Sequence, residues 1–306
     1  MSTLIVYSCD EKYFPLAKGL VLSLVEKKVD RDGIGIAFID IGCEPQSVAW
    51  LRHHRVIVIP TSQLTALEGV PPVSGYHLAQ VCRPFLPRLF PGAKSFIWLD
   101  SDLWVQSPEA IRLFAFLAER NPNKLFICPE WHYAYALNYA YATLNSDVIK
   151  FQVSNVGPCY QMAYGQDIAT ALAVRPTLNT GVFAMAAGNP LWEMWAEEIR
   201  NLYARDYGAD SGLMRHMAEQ MALNYLALRT GCAVPVDPLF NFMCMWALPF
   251  RDDAGVVRVP LPPNAPIGIV HLSQWTPRRN SYFEHGLLFQ RGNYLSDQER
   301  RALLTA

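Results

Sequence analysis

Near the amino terminus, three short apolar runs at residues 4–7, 34–41 and 56–59 alternate with two helical stretches at 15–25 and 45–53. This alternation most constrains the fold. Pro15 and Pro45 stand where a first helical turn tolerates the missing N–H. Apolar runs of this length suit strands buried on both faces. A strand–helix–strand–helix–strand order implies parallel strands joined by right-handed crossovers. Later apolar runs at 96–99, 125–128, 182–185 and 267–272 predict further strands. Ser107 and Pro108 predict the cap and first turn of a helix to Ala118, with more helices at 190–203 and 217–229. The expectation is an α/β fold, with a mixed, mainly parallel central sheet flanked by helices. Such sheets place ligands in the loops at their strand ends.

The loop after the first run, Ser8-Cys9-Asp10-Glu11-Lys12, contains no glycine. The dinucleotide-binding G-x-G-x-x-G fingerprint is therefore missing, and an NAD-type site is disfavoured. With 306 residues, 51% of them hydrophobic, the chain can bury a large core. It is read as one domain, 1–306, with 131–178 as an elaboration and about 280–306 as a carboxyl-terminal extension. A formal net charge of -1 gives no basic face for nucleic acid, and 17% charged residues do not suit acidic disorder. The seven cysteines lack C-x-x-C spacing and are expected to be reduced thiols, not a disulfide frame or a zinc cluster. No basic leader and no long uncharged apolar run is present. The expected location is cytoplasmic, at most peripheral to the inner face of a membrane, and a homodimer is left open.

The segment Phe96-Ile97-Trp98-Leu99 ends in Asp100-Ser101-Asp102. Carboxylates at the end of a buried segment are costly unless a cation offsets them. Residues two apart on an extended chain project to one face, so both acids can reach one ion. Their oxygens suit magnesium or manganese, which would neutralise charge developing on a departing diphosphate. On residue type alone, a solvated turn stays equally open.

The stretch around the pair, "PRLFPGAKSFIWLDSDLWVQSP", and three further ones, "NTGVFAM", "EQMALNYL" and "VHLSQW", give it a context. Together and in this order they resemble glycosyltransferase family 8, nucleotide-sugar enzymes of the Rossmann-like GT-A fold. The resemblance implies that Asp100, Asp102 and His271 bind the metal, Mn2+ or Mg2+. It implies that Ser8, Asp10, Tyr13 and Arg83 meet the nucleotide, with Tyr13 able to stack on a base. Asn179 and Gly181 match an Asn-x-Gly beside the donor sugar, and Glu219 and Gln220 match an acidic-Gln pair beside its anomeric carbon. The reaction implied is transfer of a hexose from a UDP-sugar, with retention, to a hydroxyl acceptor such as a glycan or lipid-linked glycan.

The sequence departs from the family pattern after His271. It reads Leu272-Ser273-Gln274-Trp275-Thr276-Pro277-Arg278-Arg279, without the family's glycine and Lys-Pro-Trp. Arg278 or Arg279 is the candidate diphosphate ligand there, with Arg278 taken first. Trp131, His132, Tyr133 and Tyr135 could form an aromatic sugar platform or core packing. Two other functions stay open: a nucleotide-sugar-binding module without turnover, and a haloacid-dehalogenase-type phosphohydrolase using Asp100 as nucleophile.

Overall fold

The structure is a computed structural model, and it describes residues 3–29, 33–135, 156–173, 175–247 and 249–273. Arg278, Arg279 and the extension at 280–306 lie outside the described residues, as does 136–155 of the elaboration.

The first strand, β1 (Thr3–Cys9), is buried along its whole length. It pairs in parallel with β2 (Ile34–Asp40) on one side and β4 (Ser95–Leu99) on the other. β3 (Ile57–Pro60) extends the parallel set beyond β2. The helices α1 (Phe14–Glu26) and α2 (Pro45–His53) are the crossovers, each with its expected proline in the first turn. β4 is followed by the three-residue β5 (Leu103–Val105) and the helix α3 (Pro108–Arg120). Next come β6 (Leu125–Pro129), α4 (Gly157–Tyr164), α5 (Gln166–Ala173) and β7 (Leu178–Ala186). The chain continues through α6 (Leu191–Ala204), α7 (Ser211–Thr230) and β8 (Ala233–Pro235). The seven strands run in the order β3-β2-β1-β4-β7-β6-β8, with β7 antiparallel to both neighbours. The sheet is mixed and mainly parallel, as expected.

Alternation along each strand sorts side chains to two faces, and each face builds its own core. Phe96, Trp98, Phe183 and Met185 join Trp192, Trp195 and Met221 of α6 and α7. Ile97, Leu99, Val182 and Ala184 join Leu20 and Leu24 of α1 and Phe114 of α3. Burial on both faces explains why these strands read as continuous apolar runs.

A second sheet forms between β5, β9 (Phe242–Met243) and β10 (Ile269–His271). The run at 267–272 thus supplies a strand, but in this small sheet and not the central one. β10 runs antiparallel to β5, placing His271 opposite Leu103. Buried Ser23 of α1 clamps β5 by accepting from the Val105 N–H at 3.1 Å.

Two local expectations are refined. Ser107 precedes α3 as expected, yet its hydroxyl donates to Glu109 at 2.6 Å and caps no backbone N–H. The helix expected from residue 217 begins at Ser211, so Glu219 and Gln220 sit in its middle. The seven cysteines are all free thiols.

Candidate metal and donor site

β1, β2 and β4 are parallel, so the loops after Cys9, Asp40 and Leu99 share one edge of the sheet. Because β7 is antiparallel to β4, its first residues arrive at that same edge. The Asp100 N–H donates to the Gly181 carbonyl at 2.8 Å, extending the β4–β7 ladder by one bond. β6 also ends there, opposite the start of β7, which brings Glu130 to Asn179.

Asp100 and Asp102 flank the tight turn between β4 and β5. The antiparallel β5–β10 pairing carries His271 to them, and the Leu272 N–H donates to the Asp102 carbonyl at 3.2 Å. His271 Nε2 lies 3.3 Å from Asp102 Oδ1 and 3.9 Å from Asp100 Oδ2. One donor atom from each of Asp100, Asp102 and His271 falls within 4.8 Å of the others. Among the described residues no other group of three acidic, histidine or cysteine side chains is so arranged. Two carboxylates with one imidazole suit a divalent cation of the manganese or magnesium kind. The backbone is shaped for it as well. A Cβ added at Gly181 would stand 2.6 Å from His271 Cε1 and 3.0 Å from Asp100 Oδ2. Glycine is needed here for space alone.

Behind the acids lies a buried charge network. Arg83, near the start of a short turn before β4, donates to Asp100 Oδ1 at 2.7 Å. Its other terminal nitrogen lies 2.9 Å from Glu219 Oε2 and donates to Thr180 Oγ1 at 2.8 Å. The guanidinium lies 4.8 Å from the Trp98 ring centre, and the Trp98 indole N–H also donates to Asp100 Oδ1, at 2.8 Å. Burial works against the Arg83 charge, but Asp100 and Glu219 more than offset it. Only one carboxylate edge of Asp100 is taken by these donors, and the other faces His271.

Glu219 is 2% exposed. Burial pushes its carboxyl up to about 7, against the pull of Arg83. Its Oε1 and Arg83 Nε are buried with no hydrogen-bond partner among the described residues. Gln220 projects beside it, at 3.4 Å from the Thr180 N–H and 3.5 Å from Glu130 Oε1. Burial likewise raises the Glu130 carboxyl, with the Asn179 hydrogen bond opposing.

The structure therefore brings Asp100, Asp102, His271, Arg83, Asn179, Gly181, Glu219 and Gln220 into one cluster. Arg83 is turned inward to hold acids, a different posture from a surface arginine awaiting phosphate. The loop at 8–13 sits one strand away. The Ser8 hydroxyl donates to the Ile39 carbonyl at 2.7 Å, which commits it to the β1–β2 junction. Asp10 Oδ1 accepts from the Tyr13 N–H at 3.2 Å, and Tyr13 packs against the cores on both sides of it. The aromatic group divides. Tyr135 and His132 pack on Phe242, whereas Trp131 and Tyr133 are 52% and 42% exposed.

Two site residues escaped the sequence reading. Glu130 ends an apolar strand just as Asp100 does, and the same cost of a carboxylate at a buried edge marks it. Asn241 sits in a short turn with no periodic signal.

No family model and no curated protein matches the chain by sequence. Solved structures do resemble it. An active-site mutant of LgtC shares 16% identity at a TM-score of 0.54, covering 98% of this chain and 100% of that one. The galactosyltransferase LgtC in complex with donor and acceptor sugar analogues shares 14%, at a TM-score of 0.55 over 98% and 99%. The bifunctional glycosyltransferase WbbM, without ligand, shares 11% at a TM-score of 0.56, covering 98% of this chain and 51% of that one. The chain has the GT-A fold of these proteins.

Proposed function

We propose that the protein is a metal-dependent glycosyltransferase that moves a hexose from a UDP-sugar to a hydroxyl acceptor, with retention of anomeric configuration. The observation that carries this reading is the Asp100–Asp102–His271 donor set at the strand-end edge of a GT-A sheet. Asp100, Asp102 and His271 would hold Mn2+ or Mg2+, which supplies Lewis-acid neutralisation of the departing diphosphate. Arg83 fixes the Asp100 carboxylate so that one edge is held and the other presented. Glu219, Asn179 and Glu130 offer carboxyl and amide groups for donor hydroxyls, and Gln220 stands among them. Gln220 is a weak nucleophile, so leaving-group departure carries the chemistry more than covalent attack does. Asp10 and Tyr13 border the nucleotide side, with Arg278 as the diphosphate ligand from the following segment. The exposed Trp131 and Tyr133 offer ring faces to a sugar acceptor.

The test is turnover with a panel of UDP-hexoses, with Mn2+, with Mg2+ and with chelator. Metal-dependent release of UDP that is lost in Asp102→Ala is expected. Full activity in that variant would remove the acidic pair from the mechanism.

A further inference from the structure

A chain of three amides runs from the backbone of β7 to the imidazole of His271, and its polarity can be read without ambiguity. The Gly181 N–H can only donate, and its partner at 2.9 Å is the Asn179 side chain, so the atom there is Oδ1. The Asn179 Nδ2 then faces Glu130 Oε1 at 2.8 Å, where a donor is required. Asn241 meets Asn179 Oδ1 at 2.8 Å, so Asn241 presents its Nδ2 there. Its remaining amide atom, Oδ1, lies 2.8 Å from His271 Nδ1 and must accept. His271 therefore carries its proton on Nδ1. Nε2 faces Asp102 at 3.3 Å and Asp100 at 3.9 Å, and in the neutral ring it is the nitrogen that carries the lone pair. Asn241, Asn179 and His271 are all buried, so the relay is shielded from water that could scramble it.

We propose that Asn241 is a positioning residue that locks His271 in the Nδ1–H tautomer, leaving Nε2 bare to ligate the cation. The proposal rests on the metal site of the functional reading, and it deepens that reading by naming what selects the ligating nitrogen. A ligating histidine commonly donates its other ring N–H to a fixed acceptor, which sets both orientation and basicity. Here the acceptor is itself oriented, through Asn179, by a backbone amide of the strand that pairs with Asp100. Gly181 leaves the space that this ring occupies, since a Cβ there would stand 2.6 Å from His271 Cε1.

The test reads the tautomer directly. Metal-free protein labelled with 15N-histidine is observed by long-range proton–nitrogen correlation at a pH where the rings are neutral, with His271 assigned by its loss in His271→Gln. Wild type should show His271 protonated at Nδ1 and bare at Nε2; protonation at Nε2 with a bare Nδ1 overturns the proposal. In Asn241→Leu, similar in volume but without an acceptor, the Nδ1 preference should disappear. Mn2+ affinity by calorimetry should fall tenfold to a hundredfold. Asn241→Asp keeps an acceptor toward Nδ1 and should keep the tautomer; its other oxygen meets Asn179 Oδ1 in place of the amide donor, so affinity falls, but by less than in Asn241→Leu. Equal losses in the two variants would assign the effect to packing and overturn the proposal. The wild-type spectrum and the aspartate variant decide the matter even where the leucine variant does not fold. Wild-type protein that shows the Nδ1–H tautomer and yet binds no Mn2+ would overturn the metal reading itself and, with it, the proposed purpose of the lock.

Discussion

At the residue scale the site is governed by close approach and by buried charge. Gly181 leaves no room for a methyl group between His271 and Asp100. Gly181→Ala should lower Mn2+ affinity at least tenfold in calorimetry, with a loss of about 1–3 kcal/mol in urea melts from overpacking. Unchanged affinity would show that the ring and carboxylate can retreat. Glu219 makes a second prediction. Its folded value of about 7 lies above the ordinary 4.5, so the native state holds this proton more tightly than the unfolded chain. That contribution is complete below about 4.5 and is lost as pH rises toward 7, an effect on the order of 3 kcal/mol. Urea melts of metal-free protein across this window should show the decline, and Glu219→Gln should lack it. An equal slope in the variant would place the titration elsewhere. The acids were legible in the sequence because Asp100 and Asp102 interrupt apolar segments. Glu219 could have been read more sharply, since Ala222, Leu223 and Leu226 share its helical face and mark it as inward. Asn241 carried no such signal, because a single amide in a turn reads as solvated until its partners are brought from distant segments.

At the element scale, long periodic segments were legible and short ones were not. β1, β2 and β4 declare themselves because burial on both faces demands unbroken apolar runs. β5, of three residues, and the two-residue β9 carry too few side chains for a period to show. Their pairing is set by tertiary contact, including the Ser23 hydroxyl beneath Val105. This matters for function, because the β5–β10 ladder is what carries His271 to Asp102. The antiparallel direction of β7 was equally hidden, since an apolar run has the same composition whichever way it points. α7 illustrates termini. It stops at Gly231, whose φ of 62° is left-handed and whose N–H donates to the Ala227 carbonyl. Gly231→Ala should cost about 1 kcal/mol in chemical denaturation and leave metal affinity untouched. A neutral substitution would mean that the helix end relaxes into another cap.

At the scale of the whole molecule, one sheet edge collects the ends of β1, β4, β6 and β7, and a small second sheet delivers the last ligand. Parallel strands bring Asp10 and Asp100 to that edge, and the single reversed strand adds Asn179, Thr180 and Gly181 from the opposite direction. The fold was legible in the alternation of strands and helices and in the order of the motifs, while the buried network of Arg83, Glu219 and Thr180 emerged only from the packed helix α7. No helix among the described residues is long and apolar enough to cross a membrane. The proposed function makes this edge a cation and nucleotide-sugar site. Its most direct test is diffraction from crystals soaked with UDP and Mn2+, using the anomalous signal of manganese. A single anomalous peak in contact with Asp100, Asp102 and His271 Nε2, bridging to the diphosphate, is the expected result. A peak elsewhere, or UDP bound away from this edge, would contradict it.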